Sequence, residues 1–381
     1  MKILITTDLF TTDTNGVVTS VKNLWDELKK KGHDVRIITL SESRHSHSDG
    51  VVYYIRSMPI GVYPNVRMAL SYRHPLIKEL IEWRPDVIHS QCEFFTYQYA
   101  LRIAKHTGAP IVHTYHTLYE QYVTYAIPSK RLGCYVVRVL TRKRLKKADR
   151  IIAPTHKVEQ ALNDYGLTQA ISIVPSGINL DQHRVRITAK ERAQKRRALG
   201  IGDEHFALLN LGRLGTEKSL DALLELFARA AATEDKLRFL IVGDGPARES
   251  LEQQAASLGV TDKVIFTGMV RPGEVQEYYQ LGDVFVSAST SETQGLTYIE
   301  AAANGLPLLC RRDPCLAGVI RQGENGFEYD SEAEFLAYVR QICHDPEWCK
   351  AAGRTSEEIA ATFDKSTFGD AVEKIYTNVL R

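Results

Sequence analysis

Short apolar runs alternate with segments of helical periodicity along most of this chain, and that alternation constrains the fold more than any other feature. It indicates parallel β-sheets with helices on both faces. The alternation forms two series, separated by a polar, basic segment at 178–202 that has no strand signal. In the first series the predicted strands are Lys2–Thr6, Val35–Leu40, Val51–Ile55, Val87–Ser90, Ile111–His113, Arg150–Ala153 and Ser172–Val174. In the second series they are Phe206–Leu211, Leu237–Val242, Lys263–Phe266, Val284–Ser287 and Pro307–Leu309.

Two such series in a chain of 381 residues predict two domains. We expect an α/β protein made of two Rossmann-like, doubly wound domains. The predicted boundaries are an N-terminal domain at 1–177, a linker with one helix at 178–202 and a C-terminal domain at 203–364. A terminal helix at 365–381 is expected to pack back on the N-terminal domain. Ligands of such sheets bind at the carboxyl ends of strands, so the loops there are the first places to search.

Charge and cysteine usage exclude several classes of protein. A net charge of +2 gives no reason to expect a nucleic-acid partner, and the six cysteines show no CxxC spacing that would indicate zinc or a disulfide framework. The N-terminus enters a strand pattern without the layout of a signal peptide. No apolar run approaches the roughly 18 residues of a membrane span. We therefore expect a cytoplasmic protein whose membrane contact is peripheral.

Two carboxylates, Glu292 and Glu300, stand in a segment that changes from loop to helix. Glu292 precedes the helix start, and Glu300 lies about two turns into the helix. Carboxylates accept hydrogen bonds from vicinal hydroxyls, so the pair suits a sugar or a ribose. The N–H groups near Gly295 and Leu296 favour a phosphate. An N-cap region followed by one buried glutamate accounts for the spacing equally well.

A glycine-containing loop with two cations follows the first strand of the second series. Gly212 allows close backbone approach. Arg213 can bind two phosphate oxygens at once, and Lys218 adds a point charge. Together the two cations can neutralise a diphosphate, including the charge that grows as it leaves. A surface turn with two solvated cations is the alternative.

Two loops of the N-terminal domain carry weaker signals. The polar loop Asp13–Val17 opens a helix at Gly16, and helix N-termini bind anions, although an ordinary βα turn explains the loop as well. His116 lies past the end of a predicted strand, where it can donate to a sugar hydroxyl or shuttle a proton. A solvated loop histidine is the simpler interpretation. His113 and His116 stand three apart, which suggests a metal, but no carboxylate stands at ligand spacing beside them.

Taken together, these motifs resemble the retaining glycosyltransferases of family 4, and the resemblance covers nearly the whole chain. Its most specific part is the Glu-x7-Glu motif formed by Glu292 and Glu300. The resemblance implies the GT-B fold, in which two Rossmann-like domains face each other across a donor-binding cleft, and a nucleotide sugar as co-substrate. By the same resemblance Glu292 contacts the donor sugar and Glu300 holds the ribose hydroxyls of the nucleotide.

The resemblance also assigns roles to other positions. Gly212, Arg213 and Lys218 match the family's diphosphate grip, and the two cations would replace a divalent metal, so no metal cofactor is expected. His116 matches the acceptor-side histidine and is counted with Arg213, Lys218 and Glu292 as catalytic. The remaining donor-binding positions are Gly16, Val270, Gln294, Gly295 and Leu296.

Within the family, the chain looks like the bacterial diacylglycerol glucosyltransferase branch, on the sequences Ser-Glu-Thr-Gln-Gly-Leu-Thr-Tyr at 291–298 and His-Thr-Leu-Tyr-Glu-Gln-Tyr at 116–122. That branch moves glucose from UDP-glucose to the 3-hydroxyl of 1,2-diacylglycerol, which gives an α-linked glycolipid. The chain departs from many family members at Asn15, where a second glycine is common, and at Gln294, where a phenylalanine is common. A soluble, saccharide or polyprenyl-linked acceptor stays open, as does a non-enzymatic nucleotide-binding module.

A basic helix in the N-terminal domain supports a lipid acceptor. Leu132, Tyr135, Val136 and Val139 recur on one face of it. A helix with one apolar face and many cations can lie in an anionic membrane surface, which would place the protein on the inner face of the cell membrane. A helix docked on its own domain with a solvated basic face is the alternative. The predicted membrane-binding cations are Arg131, Arg138, Arg142, Lys143 and Lys146.

Overall fold

A computed structural model describes the chain at residues 1–11, 15–60, 66–123 and 129–381. The chain divides into two compact units: unit 1 contains residues 1–177 and 365–381, and unit 2 contains residues 178–364. Each unit is built around its own β-sheet, on which its helices pack. The predicted α/β architecture of two doubly wound domains is confirmed.

Unit 1 is a largely parallel sheet. Its strands are β1 (Lys2–Thr6), β2 (Asp34–Ser41), β3 (His47–Ser48), β4 (Val52–Pro59), β5 (Arg67–Ala69), β6 (Val87–Ser90), β7 (Ile111–Thr114), β8 (Arg150–Ala153) and β9 (Ile171–Ile173). Its helices are α1 (Gly16–Lys30), α2 (Pro75–Trp83), α3 (Phe95–Thr107), α4 (Lys130–Leu145), α5 (His156–Asp164) and the terminal helix (Lys365–Val379), numbered α14 in chain order. The sheet order among the described residues is β3-β4-β2-β1-β6-β7-β8-β9, with β5 on β4. The terminal helix packs in the same apolar cluster as α1, through Val372 and Leu24.

Unit 2 is a parallel sheet of six strands among the described residues. Its strands are β10 (Phe206–Leu211), β11 (Leu237–Val242), β12 (Val264–Phe266), β13 (Val284–Ser287), β14 (Leu308–Arg311) and β15 (Gly326–Tyr329). Its helices are α6 (Leu180–His183), α7 (Ala189–Ala198), α8 (Leu220–Ala231), α9 (Arg248–Ser257), α10 (Val275–Tyr279), α11 (Leu296–Ala303), α12 (Glu332–His344) and α13 (Pro346–Ala361). The sheet order is β12-β11-β10-β13-β14-β15, which is the strand order of a dinucleotide-binding sheet.

In both sheets the strand order reverses beside the first strand of the unit. Strand β1 lies between β2 and β6 in unit 1, and β10 lies between β11 and β13 in unit 2. Connections leave these neighbouring strands toward opposite faces, so the loops at their carboxyl ends open a crevice. The loops after β10 and β13 are therefore where unit 2 is expected to bind a ligand.

Strand β10 shows why the central strands are continuous apolar runs. Leu208 packs into the apolar cluster that contains Phe227 of α8, and Leu209 packs into the cluster that contains Ile299 of α11. Successive side chains point to opposite faces, so a strand covered on both faces is apolar at nearly every position. The exception in β10 is Asn210, whose side-chain amide donates to the carbonyl oxygen of Val286 at 2.8 Å. The bounds predicted for β6, β8, β10, β11 and β13 coincide with the observed ones because of this apolar pattern.

Residues 178–202, interpreted from the sequence as a linker with a helix, belong to unit 2 and contain α6 and α7. The buried guanidinium of Arg196 on α7 pairs with Asp283 at 3.0 Å and donates to the carbonyl oxygens of Leu281 and His205. Arg192 of the same helix also pairs with Asp283, at 2.7 Å. These two cations of the basic segment at 178–202 therefore fix α7 to the body of unit 2.

Candidate active site

Two loops of unit 2 meet at the carboxyl ends of the neighbouring strands β10 and β13. The first loop carries Gly212, Arg213 and Lys218, and the second carries Glu292 and leads into α11. The contact is direct, because the ammonium group of Lys218 forms an ion pair with a carboxylate oxygen of Glu292. Both side chains are mostly buried. The structure thus brings together two residues that separate sequence motifs assigned to the donor site.

Arg213 is held by a carboxylate that the sequence analysis missed. The side chain of Glu217 is only 3% exposed and pairs with the guanidinium of Arg213, which is 35% exposed. Glu217 folds back over its own loop, since a Cβ placed on Gly215 would lie 2.4 Å from both carboxylate oxygens. Glycine is therefore needed at 215 for this packing. The two residues are four positions apart, which would bring them together on a helix, but the sequence predicts a loop here. The spacing therefore gave no reason to expect the contact.

The loop after β10 also lies against the backbone of the loop after β11. Gly212 has a φ of 152°, and a Cβ on Gly243 would lie 2.0 Å from the carbonyl oxygen of Gly212. A Cβ on Gly245 would lie 2.5 Å from the carbonyl oxygen of Leu214. The sequence analysis did not single out Gly243 and Gly245, although two glycines directly after a predicted strand were an available signal. This close packing fixes the loop that carries the two cations.

Helix α11 begins immediately after Gly295, which has a left-handed φ of 72°. A Cβ at that position would lie 2.4 Å from the ring of Tyr298, so both conformation and space require glycine. The N-cap residue is this glycine, which has no side chain to accept from the N–H groups of the first turn. The N–H groups at its start, which include that of Leu296, therefore suit an anion. Gln294 is buried just before this turn.

Glu300 of α11 is a partly buried carboxylate with no ion-pair partner among the described residues. Its Oε2 atom accepts a hydrogen bond of 2.7 Å from the hydroxyl of Tyr279. Burial raises the pKa of Glu300 to about 7, and the hydrogen bond from Tyr279 opposes that rise. A buried carboxylate without a cation destabilises a protein, so such groups are typical of functional sites.

Val270 lies at the same edge of the sheet, after β12. It packs against the apolar cluster that includes Tyr279 and Ile299. The loop before it is joined to the loop after β11, because the N–H of Gly243 donates to the carbonyl oxygen of Gly268 at 3.1 Å. The four predicted donor segments of unit 2, at 212–218, 270, 292–296 and 300, therefore belong to adjoining strands and helices of one sheet edge.

In unit 1, the predicted anion loop is described only in part. Asp13 and Thr14 lie outside the described residues, whereas Gly16 is the exposed first residue of α1. Asn15 caps this helix, and its Oδ1 atom accepts a hydrogen bond of 2.8 Å from the N–H of Val17. One of the N–H groups at this helix start is therefore occupied by the protein's own side chain.

His116 lies after β7 and acts as a neutral hydrogen-bonding group. Its Nε2 atom is 2.6 Å from Oε1 of Gln91, a buried residue at the end of β6. Burial, and then the neighbouring His113, lower the pKa of His116 to about 3. At neutral pH the ring therefore carries no charge and can only exchange hydrogen bonds. Gln91 was missed because it stands 25 positions before its partner.

His113 belongs to a different cluster from His116. Its Nε2 atom is 3.1 Å from Oε1 of the buried Glu93, and the other oxygen of Glu93 accepts a hydrogen bond of 2.7 Å from the hydroxyl of Tyr119. This cluster ties the loop after β7 to the loop after β6. Within the described parts of the chain, no group of three or more His, Cys, Asp or Glu is arranged to hold a metal ion.

Helix α4 docks on unit 1 by one face and exposes apolar side chains elsewhere. Gly133, Thr141 and Leu145 are buried. Arg138 is paired with Glu120 at 2.7 Å. The other predicted membrane-binding cations are exposed, namely Arg131, Arg142, Lys143 and Lys146. The exposed apolar side chains, 45–66% accessible, are Leu132, Tyr135, Val139 and Leu140.

In the described residues, no helix has the length and apolar character needed to cross a bilayer. Val136, which the sequence analysis placed on the apolar face, is partly buried. Leu140, which was not predicted to belong to the apolar face, is exposed. Both differences arise because α4 is docked on unit 1, which covers part of the apolar face inferred from periodicity alone.

Two family models match the two halves of the chain. The model described as Glycosyltransferase Family 4 matches residues 14–182, and the model described as Glycosyl transferases group 1 matches residues 191–359. Solved structures with low sequence identity share the fold. Anabaena HepE in complex with UDP and glucose has a TM-score of 0.78 at 16% identity, over 99% of this chain and 100% of that chain. WaaG, a glycosyltransferase involved in lipopolysaccharide biosynthesis, has a TM-score of 0.72 at 18% identity, over 98% and 99%.

Curated relatives match over the full length. The alpha-monoglucosyldiacylglycerol synthase of Streptococcus pneumoniae is 33% identical over 383 residues, which cover 100% of this chain and 86% of that relative. The protein of the same name from Acholeplasma laidlawii is 29% identical, over 100% of this chain and 98% of that relative. The family models, the GT-B fold and these relatives agree with the motifs gathered at the edge of the second sheet. The chain therefore belongs to glycosyltransferase family 4 and is a hexosyltransferase.

Proposed function

We propose that this enzyme transfers glucose from UDP-glucose to the 3-hydroxyl of 1,2-diacylglycerol with retention of configuration, which gives an α-linked glycolipid. The proposed nucleotide-sugar donor is supported by one observation: two cations and two carboxylates lie at one edge of the sheet of unit 2. They are Arg213, Lys218, Glu292 and Glu300. The lipid acceptor is supported by the full-length relatives named alpha-monoglucosyldiacylglycerol synthase.

In this proposal the donor binds unit 2 by an exchange of partners. Lys218, which pairs with Glu292 in the structure, turns to the diphosphate, and Glu292 becomes available to the glucose hydroxyls. Arg213 binds the diphosphate while the buried Glu217 continues to orient it. Glu300 accepts hydrogen bonds from the ribose.

Backbone groups complete the proposed donor site. The N–H of Leu296, at the start of α11, faces a phosphate, and Gly295 and Gln294 shape the turn before it. Gly212 lets the diphosphate approach the loop after β10. The backbone near Val270 contacts the uracil. In unit 1, Gly16 keeps the donor-binding role that the family resemblance gives it, although Asn15 already occupies one N–H at the start of α1.

The chemical step places charge on the leaving diphosphate. Arg213 and Lys218 stabilise that charge in the transition state, and this is the role that a divalent metal fills in other transferases. The acceptor oxygen attacks from the face that the diphosphate leaves: its bond to the anomeric carbon forms as the bond from that carbon to the diphosphate oxygen breaks, and the hydroxyl proton passes to the departing diphosphate oxygen. His116 is neutral, so it orients the acceptor hydroxyl by a hydrogen bond and does not act as a cation. Glu292 orients the glucose, and no protein nucleophile is assigned.

The acceptor is reached from the membrane. The exposed apolar side chains of α4 lie among positive charges, since residues 130–147 contain eight Lys and Arg, all exposed or partly exposed, and no Asp or Glu. Such a surface binds anionic lipid headgroups and inserts its apolar side chains at the level of the acyl boundary. The enzyme thereby works at the inner face of the cell membrane.

A donor-by-acceptor screen with linkage analysis of the product tests the proposed function. UDP-glucose and UDP-galactose are offered with diacylglycerol in anionic vesicles, and with water-soluble acceptors, inositol 3-phosphate among them. The expected product is α-glucosyl-diacylglycerol, formed only from UDP-glucose. Transfer to a water-soluble acceptor alone would contradict the lipid acceptor, and a β-linked product would contradict retention.

Replacing either of the two clamp cations, Arg213 and Lys218, is expected to lower turnover strongly. Arg213→Ala and Lys218→Ala should each lower kcat by about 100-fold or more, because each removes positive charge from the departing diphosphate. The measurement is the rate of UDP release from UDP-glucose with acceptor present. Arg229→Ala is the control, since Arg229 forms an exposed ion pair with Glu332 in the same unit and should leave the rate unchanged. Near wild-type rates in both clamp variants would refute the assignment.

Binding of UDP is expected to weaken as the pH falls through 7. The ribose hydroxyls donate to ionised Glu300, and the pKa of about 7 means that the unliganded carboxyl becomes protonated below that pH. The affinity should fall by up to about tenfold per pH unit below the pKa. Calorimetric titration at several pH values measures it. The Glu300→Gln variant reports the ionisation of the nucleotide's own phosphate, so an identical profile in both proteins would show that Glu300 takes no part.

Neutralising α4 is expected to release the enzyme from anionic vesicles. The triple variant Arg131→Ala, Arg142→Ala, Lys146→Ala should bind about 100-fold more weakly, at about 1 kcal/mol per cation near the surface, and the difference should shrink in high salt. Vesicle co-sedimentation measures it. A matched control with the same charge change is Arg184→Ala, Lys190→Ala, Arg197→Ala, which removes three exposed cations of unit 2. Equal losses of vesicle affinity in the two triple variants would show that net charge, and not the position of the cations on α4, accounts for the effect.

A further inference from the structure

We infer that Tyr279 is a positioning residue for the donor nucleotide: its hydroxyl fixes one oxygen of the Glu300 carboxylate and leaves the other to the ribose hydroxyls. The inference rests on the proposed role of Glu300 as ribose anchor. It adds a residue that lies outside every sequence motif described above.

The contact itself is short and enclosed. Tyr279 ends helix α10 and is fully buried. Its hydroxyl lies 2.7 Å from Oε2 of Glu300, and this is the hydrogen bond that the described part of the chain gives to that carboxylate. The tyrosine ring packs edge-on against His183 and tilted against Phe285, each at a centroid distance of 6.3 Å. Full burial and these two ring contacts restrict the movement of the hydroxyl.

The backbone that carries Glu300 is fixed by a second set of contacts. Asn304 follows the last residue of α11, and its side-chain amide donates to the carbonyl oxygen of Glu300 at 2.9 Å. The same amide lies 2.9 Å from Nδ1 of His183 on α6. Arg186 donates to the carbonyl oxygen of Ala303 at 3.2 Å. The helix end is thus fixed, and Tyr279 supplies the remaining restraint on the carboxylate.

The hydroxyl also affects the charge of the anchor. In the part of the chain that the structure describes, no cation pairs with Glu300 to offset its burial, so the donated hydrogen bond is the interaction that favours its ionised form. Without it the carboxyl would be protonated over a wider pH range and free to rotate. Both changes weaken a site that needs an oriented, ionised acceptor. Because only the hydroxyl is used, Tyr279→Phe removes the function and keeps the ring packing.

The experiment is a calorimetric titration of UDP and of 2′-deoxy-UDP into four proteins: wild type, Tyr279→Phe, Glu300→Gln and the double variant. Tyr279→Phe should weaken UDP binding by about 10-fold to 100-fold, the range for a hydrogen bond to a charged group. The affinity for 2′-deoxy-UDP should fall less, because that ligand lacks one of the two hydroxyls from which Glu300 accepts a hydrogen bond. The double variant should match Glu300→Gln, since Tyr279 acts through Glu300.

Two controls separate positioning from damage to the fold. Tyr329→Phe removes another buried tyrosine hydroxyl of unit 2, one that donates to the carbonyl oxygen of Ser287 at 3.3 Å, and should leave UDP binding unchanged. The pH at which UDP binding is half lost should rise in Tyr279→Phe. Should that variant not fold, 3-fluorotyrosine at 279, a stronger donor of the same shape, should instead lower that pH and tighten UDP.

Each outcome has one meaning. If Glu300→Gln weakens UDP binding and Tyr279→Phe does not, the positioning role is overturned and the proposed function stands. If Tyr279→Phe weakens both nucleotides equally, and its effect adds in full to that of Glu300→Gln, the residue acts on the fold and the inference is wrong. If Glu300→Gln itself binds UDP like the wild type, the ribose anchor of the proposed function fails.

Discussion

The parallel pairing of β10 with β13 is the contact on which the site of unit 2 depends. Leu208 lies opposite Val284, and Leu209 lies opposite Phe285. Because both faces of these strands are buried, a slip of one residue would turn every one of these side chains to the wrong face, so the register is strongly specified. With the register set, the loops that leave the two strands end side by side. The pairing of Lys218 with Glu292 is a consequence of that register.

The two clamp cations are held in different ways, and the difference matters for the proposed exchange. Glu217 is almost fully buried, so in the proposed exchange it stays with Arg213 and keeps the guanidinium oriented. Glu292 is more accessible and holds Lys218 from across the crevice. A diphosphate carries more charge than one carboxylate, so it competes well for the lysine. In the proposed exchange, donor binding frees Glu292 when the sugar hydroxyls are present to donate hydrogen bonds to it.

Features that depend on local pattern could be predicted from the sequence, and features that depend on contacts through space could not. Strand β11 was predicted to the residue because it is an apolar run buried on both faces, whereas the two-residue β3 at the sheet edge carries no such pattern. Arg213, Lys218 and Glu292 were found from spacing and family resemblance. Their supports were missed: the partner of Glu300 is 21 positions away, and no period links Tyr279 to it. The assigned roles themselves stay predictions.

Helix α4 bears on the choice of acceptor in a way that the donor site does not. Any enzyme that uses a nucleotide-sugar donor must stabilise the diphosphate, so the cations of the donor site do not indicate which acceptor receives the sugar. An enzyme with a water-soluble acceptor gains nothing from leaving Leu132, Tyr135, Val139 and Leu140 half exposed among cations. Burying such side chains in an apolar phase is worth about 1.5–3 kcal/mol each when complete. A bilayer offers that phase together with anionic headgroups, and for this reason the proposed function places α4 at a membrane.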